Sequence, residues 1–83
     1  MSLSNEEVLA GIQKVASEHL DHRGPLPLEA HLVEDLQLDS LQLMTLAAEV
    51  ENHFRVILEP EDEEAIATVG DLVDLVRRKK ESS

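Results

Sequence analysis

Apolar residues recur at helical spacing in three separate stretches of this chain, and nowhere do they alternate for long enough to build a sheet. In the first stretch Val8, Ile12 and Val15 mark a stripe that Leu9 and Ala16 widen and Leu20 extends. Ser4 with Glu7 three residues on is a capping box, so this spacing predicts a helix over 5–19. In the last stretch Val69, Leu72, Val73 and Val76 follow the pair Thr68 and Asp71, which predicts a helix over 69–80. The middle stretch opens on Asp39 as N-cap, with Gln42 three residues on, and predicts a helix over 40–54. Arg55 to Leu58 is the one strand candidate, and four residues alone make no sheet. Pro60 suits the first turn of a helix and the acids Glu61, Asp62, Glu63 and Glu64 favour an N-terminus, so a short helix or helical turn is expected over 60–65.

Between the first two helices lies a long stretch, 21–38, without a regular element. It starts with Asp21, His22, Arg23, Gly24, Pro25, Leu26 and Pro27, where two prolines and a glycine stop the helix. Such a length is unusual for a connection in a compact domain, where the median is about 4–6 residues. This one also carries Leu26, Leu28, Leu32, Leu36 and Leu38, so it is expected to lie against the core. The whole chain reads as one all-α domain over 1–83, with three main helices, a short extra one and a long ordered loop. With 42% hydrophobic residues it can fill one core, although a chain of 83 residues buries only about 60% of its unfolded surface.

Charge narrows the function classes. Residues 28–76 hold 13 acids and one base, Arg55, and the chain as a whole carries −11. Phosphate backbones and anionic lipid need a basic surface, and the single aromatic residue, Phe54, offers no stacking platform for bases. Nucleic acid and membrane are therefore not expected partners. No apolar run approaches the roughly 20 residues of a membrane span, and the start, MSLSNEEV, has neither part of a signal peptide, so a soluble cytoplasmic protein is expected. Without cysteine, disulfides and thiolate-bound metal are out. The acidic middle is a solvated surface that can also select basic partners and speed their encounter. The bases Arg77, Arg78, Lys79 and Lys80 sit where cations complement a helix C-terminus, with a binding role as the other reading.

The middle helix carries two apolar faces. With Leu43 at 0° and about 100° per residue, Leu46, Ala47, Val50 and Phe54 fall within about 60° of it and form the core stripe. Leu41, Met44 and Ala48 form a second stripe roughly 130° away. Either neighbours bury both faces, or the second is an exposed patch for partner proteins, to which a flexible methionine is suited. Ser40 stands at the first turn, beside this second stripe.

A nucleophilic role of its own would need a base beside Ser40 held by a third group, and His19, His22, His31 and His53 stand in no such motif. His19 and His22 could share a metal but lack an evident third ligand. A calcium loop starting at Asp35 fails, because Ser40 stands where glycine and Leu46 where a bidentate glutamate is needed. Ser40 is left either as a simple capping residue or as the substrate of another enzyme, since the positive end of a helix dipole favours a phosphate ester there. The residues by themselves leave both open.

The stretch from Leu32 through Val33, Glu34, Asp35, Leu36, Gln37, Leu38, Asp39 and Ser40 to Leu41 resembles the acyl carrier protein family, whose modification motif matches Asp39-Ser40-Leu41. Phe54, Ile66 and Thr68-Val69 continue the likeness, which covers about residues 4–78. The resemblance implies a four-helix bundle with a long first loop and no catalysis by the chain itself. It implies that Ser40 receives 4′-phosphopantetheine from coenzyme A through a separate Mg²⁺-dependent phosphopantetheinyl transferase, with Asp39 as the acid near that enzyme's metal. Acyl groups would then travel as thioesters between partner enzymes of fatty-acid, lipid or polyketide biosynthesis. In the family, partners dock on the second helix. Here Leu41, Met44 and Ala48 would supply the apolar contact, and Glu49 and Glu51 the charge that steers acyl-activating and acyl-transferring enzymes with basic docking surfaces. The chain would act as a monomer. Small Ala47 and Ala48 are compatible with an interior that shelters an attached chain.

Three departures matter. Many fatty-acid carriers have acids where this chain has Gln42 and Thr45, and Gln37 replaces a common glycine. These point away from housekeeping fatty-acid enzymes and toward a specialised carrier of a polyketide, a modified lipid or an amino-acyl group. A peptidyl or aminoacyl carrier is the near alternative, and an unmodified helical adaptor that binds through its second helix is the distant one.

A charge of −11 on so small a domain repels itself in the folded state. The Tm is therefore expected to rise when salt goes from low to moderate concentration or when divalent cations are added, as followed by circular dichroism; a flat response contradicts this.

Overall fold

A computed structural model describes residues 4–20 and 26–82. Their element order is α1 (Asn5–His19), α2 (Ser40–Phe54), α3 (Pro60–Ala65) and α4 (Val69–Ser82). The first three helices have the bounds expected from spacing and caps, and α4 runs two residues past the expected end. Among the described residues no strand forms; one isolated antiparallel bridge joins His31 and Thr68. The break at 21–25, with His22 and Arg23, lies outside the described residues.

The caps act as their residue types dictate. Ser4 Oγ accepts the N–H of Glu7 at 3.1 Å and starts α1. Ahead of α4, Asp71 Oδ2 accepts the N–H groups of Ala67 and Thr68, both at 3.0 Å, and Thr68 Oγ1 accepts that of Asp71. At the end of α2 Arg55 takes the left-handed conformation, with φ 58°, and turns the chain into an extended segment. There Val56 and Leu58 point inward while Ile57 is 76% exposed. The apolar run 56–58 thus alternates as a strand would, but beside no partner strand.

The core is apolar throughout. Among the described residues no polar or charged side chain is buried. Val8 and Ile12 of α1, Val50 of α2 and Val69, Leu72 and Val76 of α4 are its most deeply buried side chains. Each such side chain contributes about 1.5–3 kcal/mol relative to exposure.

The long loop lies on this core, as its leucines require. Leu26, Leu32 and Leu38 are buried and Leu36 packs partly against them. Leu28 departs from expectation, being 40% exposed. Its contribution is its backbone, since Leu28 O accepts the N–H of Gly70 at 2.8 Å and Ala30 O that of Val69 at 3.0 Å. These are first-turn donors of α4 that the helix itself leaves unpaired, so the loop caps α4 while α4 anchors the loop. Leu32 N–H closes the junction on Ala67 O at 3.0 Å.

α1 packs against both α2 and α4. It approaches the end of α2 closely at Gly11, where a Cβ would collide with the Phe54 ring at Cζ. Helix propensity favours alanine over glycine by about 1 kcal/mol, whereas overpacking a core costs about 1–3 kcal/mol. Gly11→Ala is therefore expected to lower stability by about 1 kcal/mol, read as a fall in the urea midpoint; an increase contradicts the contact.

Asp71 gives a pH test. The N–H groups of Ala67 and Thr68 hold its carboxyl below the ordinary 3.8. A carboxylate lowered on folding stabilises the protein above its unfolded pKa, and that contribution is lost as pH falls through the folded value. The stability gap between the wild type and Asp71→Asn should thus be flat above about pH 5 and close below 3.8, as measured by urea unfolding; a gap independent of pH refutes the assignment.

Candidate functional site

The start of α2 is built from three consecutive backbone decisions. Gln37 lies in the left-handed region with φ 57°, which reverses the loop just before the helix. Leu38 N–H then donates to Leu32 O at 3.1 Å, and the Leu38 side chain enters the core. Asp39 follows in an extended conformation as N-cap. Its Oδ1 accepts Gln42 N–H at 2.8 Å, while Gln42 Oε1 accepts Asp39 N–H at 3.0 Å. The two side chains satisfy each other's backbone donors and leave no freedom over where the helix begins.

Ser40 is therefore the first helical residue, and its side chain is exposed. The core stripe of α2 turns inward as the spacing predicts: Leu46, Ala47, Val50 and Phe54 are buried and Leu43 packs partly against them. The second stripe turns outward. Leu41 is 72% and Met44 66% exposed, and Ala48 is exposed as well. Of the two readings of this stripe, burial under the leucine-bearing loop does not occur.

Beside Ser40 runs a groove of about 650 Å³. Leu43, Met44, Leu46 and Ala47 line it from α2, and Leu32, Val33, His31 and Glu34 from the loop. Pro60, Glu63 and Glu64 of α3 form the far bank, with Ile66, Ala67 and Leu72 closing the base. The far bank is held from outside. No residue of α3 is buried, but Asp62 Oδ2 accepts Glu59 N–H at 3.0 Å and meets Lys79 Nζ of α4 at 2.8 Å. The Lys79 hydrogen bond, followed by that of Glu59, lowers the Asp62 pKa, and the same contact raises that of Lys79. One of the terminal bases is thus a strut for α3.

The acids of α2 are engaged. Glu49 Oε2 lies 3.1 Å from His19 Nε2 of α1, and Glu51 Oε2 accepts Leu58 N–H at 3.1 Å. Glu49 faces α1, away from Met44, whereas Glu51 holds the segment after the helix. The polar residues between them and Ser40 also bind backbone, for Thr45 Oγ1 donates to Leu41 O at 3.0 Å. The groove-lining roles of His31, Glu34, Glu63 and Glu64 had no signal in the sequence. The run 59–64 reads only as helix N-terminal charge, and which acids face Ser40 depends on how α3 is carried across the core.

A family model described as the phosphopantetheine attachment site matches residues 10–76. The chain belongs to the acyl carrier protein family. The acyl carrier protein of Thermotoga maritima is 36% identical over 77 residues, covering 92% of this chain and 95% of that protein. The meromycolate extension acyl carrier protein of Mycobacterium leprae is 30% identical over 84 residues, covering all of this chain and 73% of that one. Among solved structures, an acyl carrier protein from Thermotoga maritima superposes with a TM-score of 0.86 at 28% identity, over 94% of this chain and 92% of that one. A putative acyl carrier protein from Mycobacterium tuberculosis gives 0.68 at 33%, over 84% and 89%.

The carrier is thus the expected helical fold, and its role is to carry acyl groups on covalent 4′-phosphopantetheine for biosynthetic enzymes. Family membership favours this over the unmodified adaptor. No helix among the described residues is long and apolar enough to cross a membrane.

Proposed function

We propose that Ser40 is the residue that holds the 4′-phosphopantetheine arm of this carrier. The observation that supports it is an exposed hydroxyl at the first turn of α2, on the rim of an apolar-based groove. A hydroxyl there is open to a foreign active site, and the helix N-terminus favours the phosphodiester charge that results. In the modification the Ser40 oxygen bonds to phosphorus and the pyrophosphate bond of coenzyme A breaks. The nucleotide half leaves, and the hydroxyl proton passes to a base of the phosphopantetheinyl transferase. When bound, the arm supplies a terminal thiol on which acyl groups are held as thioesters.

Residues of this chain position and present that hydroxyl. Asp39 fixes the helix start and places a carboxylate next to Ser40, toward the transferase metal. Leu41, Met44 and Ala48 form the apolar docking contact, while Glu49 and Glu51, held by His19 and by the Leu58 N–H, steer partners by long-range charge rather than by direct pairing. The groove, with Leu43, Leu46, Ala47 and Leu72 among its walls, can shelter an apolar chain from water. The carrier acts as a monomer in the cytoplasm, meeting acyl-activating and acyl-transferring enzymes with basic docking surfaces. Its neutral first turns on α2, with Gln42 and Thr45 bound to backbone, fit a specialised pathway better than housekeeping fatty-acid synthesis.

The test is intact mass after incubation with coenzyme A, Mg²⁺ and a broad-specificity phosphopantetheinyl transferase. A gain of one phosphopantetheine is expected in the wild type and none in Ser40→Ala. Folded wild-type protein that gains nothing, or modification that persists in Ser40→Ala, refutes the assignment.

A further inference from the structure

The far bank of the groove is a six-residue helix that buries none of its side chains, yet Pro60, Glu63 and Glu64 of that helix line the groove. The chain on either side of α3 is fixed, since Leu58 is buried before it and Ile66 packs partly against the core after it. Between those two points the contact comes from α4, where Lys79 Nζ lies 2.8 Å from Asp62 Oδ2. The same oxygen accepts the Glu59 N–H at 3.0 Å, so one carboxylate caps the first turn of α3 and ties that turn to α4. The side chains of Lys79 and Asp62 are 29% and 24% exposed, and the pair is more enclosed than Arg78–Asp74 on α4 itself. An exposed pair contributes little, whereas a partly enclosed one is less screened by solvent and salt. The hydrogen bond to Asp62 is the main cause of the raised Lys79 pKa, and the charges of Glu59 and Glu61 add to it.

The consequence concerns what lies in the groove. An apolar chain held there has Leu43, Met44, Leu46 and Ala47 of α2 on one side and α3 on the other. The place of α2 is fixed by the stripe it buries, and that of α3 depends on the ion pair to α4. We propose that Lys79 is a positioning residue that holds α3 over the cargo and thereby sets how well an acyl thioester is kept from water and nucleophiles. This rests on Ser40 as the attachment point. Lys79 then acts through Asp62 and touches neither the arm nor the cargo. At least one of the bases that close α4 has a task beyond complementing the helix dipole.

The test uses the carrier loaded from octanoyl-coenzyme A or from acetyl-coenzyme A by a broad-specificity phosphopantetheinyl transferase. Hydroxylamine attacks the thioester carbonyl, forms the hydroxamate and frees the thiol, and intact mass follows the loss of the acyl group. An octanoyl chain can lie in the groove, whereas an acetyl group leaves no chain to lie there. Lys79→Met keeps the side chain's bulk and removes its charge. It should release octanoyl about three- to fivefold faster than the wild type and acetyl at the wild-type rate. Lys79→Arg, which keeps the pair, should match the wild type, as should Lys14→Met, an equal charge change on an exposed position of α1. Should circular dichroism show Lys79→Met to be unfolded, Lys79→Gln serves, with an expected acceleration of about twofold for octanoyl alone. Unchanged octanoyl release, or equal acceleration of octanoyl and acetyl, overturns the inference while leaving Ser40 in place. Failure of the wild type to load removes the Ser40 assignment itself, and this inference with it.

Discussion

The reciprocal hydrogen bonds between Asp39 and Gln42 set the phase of α2, and the rest of the site follows from that phase. A helix advances by about 100° per residue, so a start displaced by one position would rotate every side chain by that angle. With the start at Ser40, Leu46, Ala47, Val50 and Phe54 point inward while Leu41 and Met44 face solvent. Burial of the inward stripe and the polar cap act in the same direction. That agreement between local and tertiary preference gives the serine a single, exposed position.

The long loop achieves by backbone what a helix would achieve by side-chain ridges. Its carbonyls at Leu28 and Ala30 accept the first donors of α4, and its leucines at 26, 32 and 38 fill the core between. The loop therefore forms one wall of the groove without regular structure of its own. α3 forms another wall with no buried side chain, held by Pro60 at its start and by the pair Asp62–Lys79. Such an element has few apolar contacts of its own and depends on that ion pair for its place.

Helix bounds, caps and the split of α2 into two stripes were legible in the sequence because each depends on neighbours a few residues away. Asp39 with Gln42 and Thr68 with Asp71 form the reciprocal pairs that their spacing implies, and of the pair Ser4 and Glu7 the half in which Ser4 Oγ accepts the Glu7 N–H is present. Leu28 was misjudged for the converse reason: its hydrophobicity indicates burial, while its actual task, accepting the Gly70 N–H, belongs to a carbonyl that every residue possesses. Glu49 and Glu51 read as charge that steers partners to the second helix. Their engagement with His19 and Leu58 could be seen only once α1 and the segment after α2 were in place.

The amino-acid order by itself determined that this chain is helical, where its helices start, and that a serine opens the second of them, since hydrogen bonds and apolar periods over three or four residues suffice for that. Only the tertiary structure decided that the second stripe of α2 stays uncovered and that Glu63 and Glu64 come to line the same groove as Ser40. It also decided that Lys79 braces α3. Those outcomes depend on where segments distant in sequence come to rest, and that is set by the shape of the shared core.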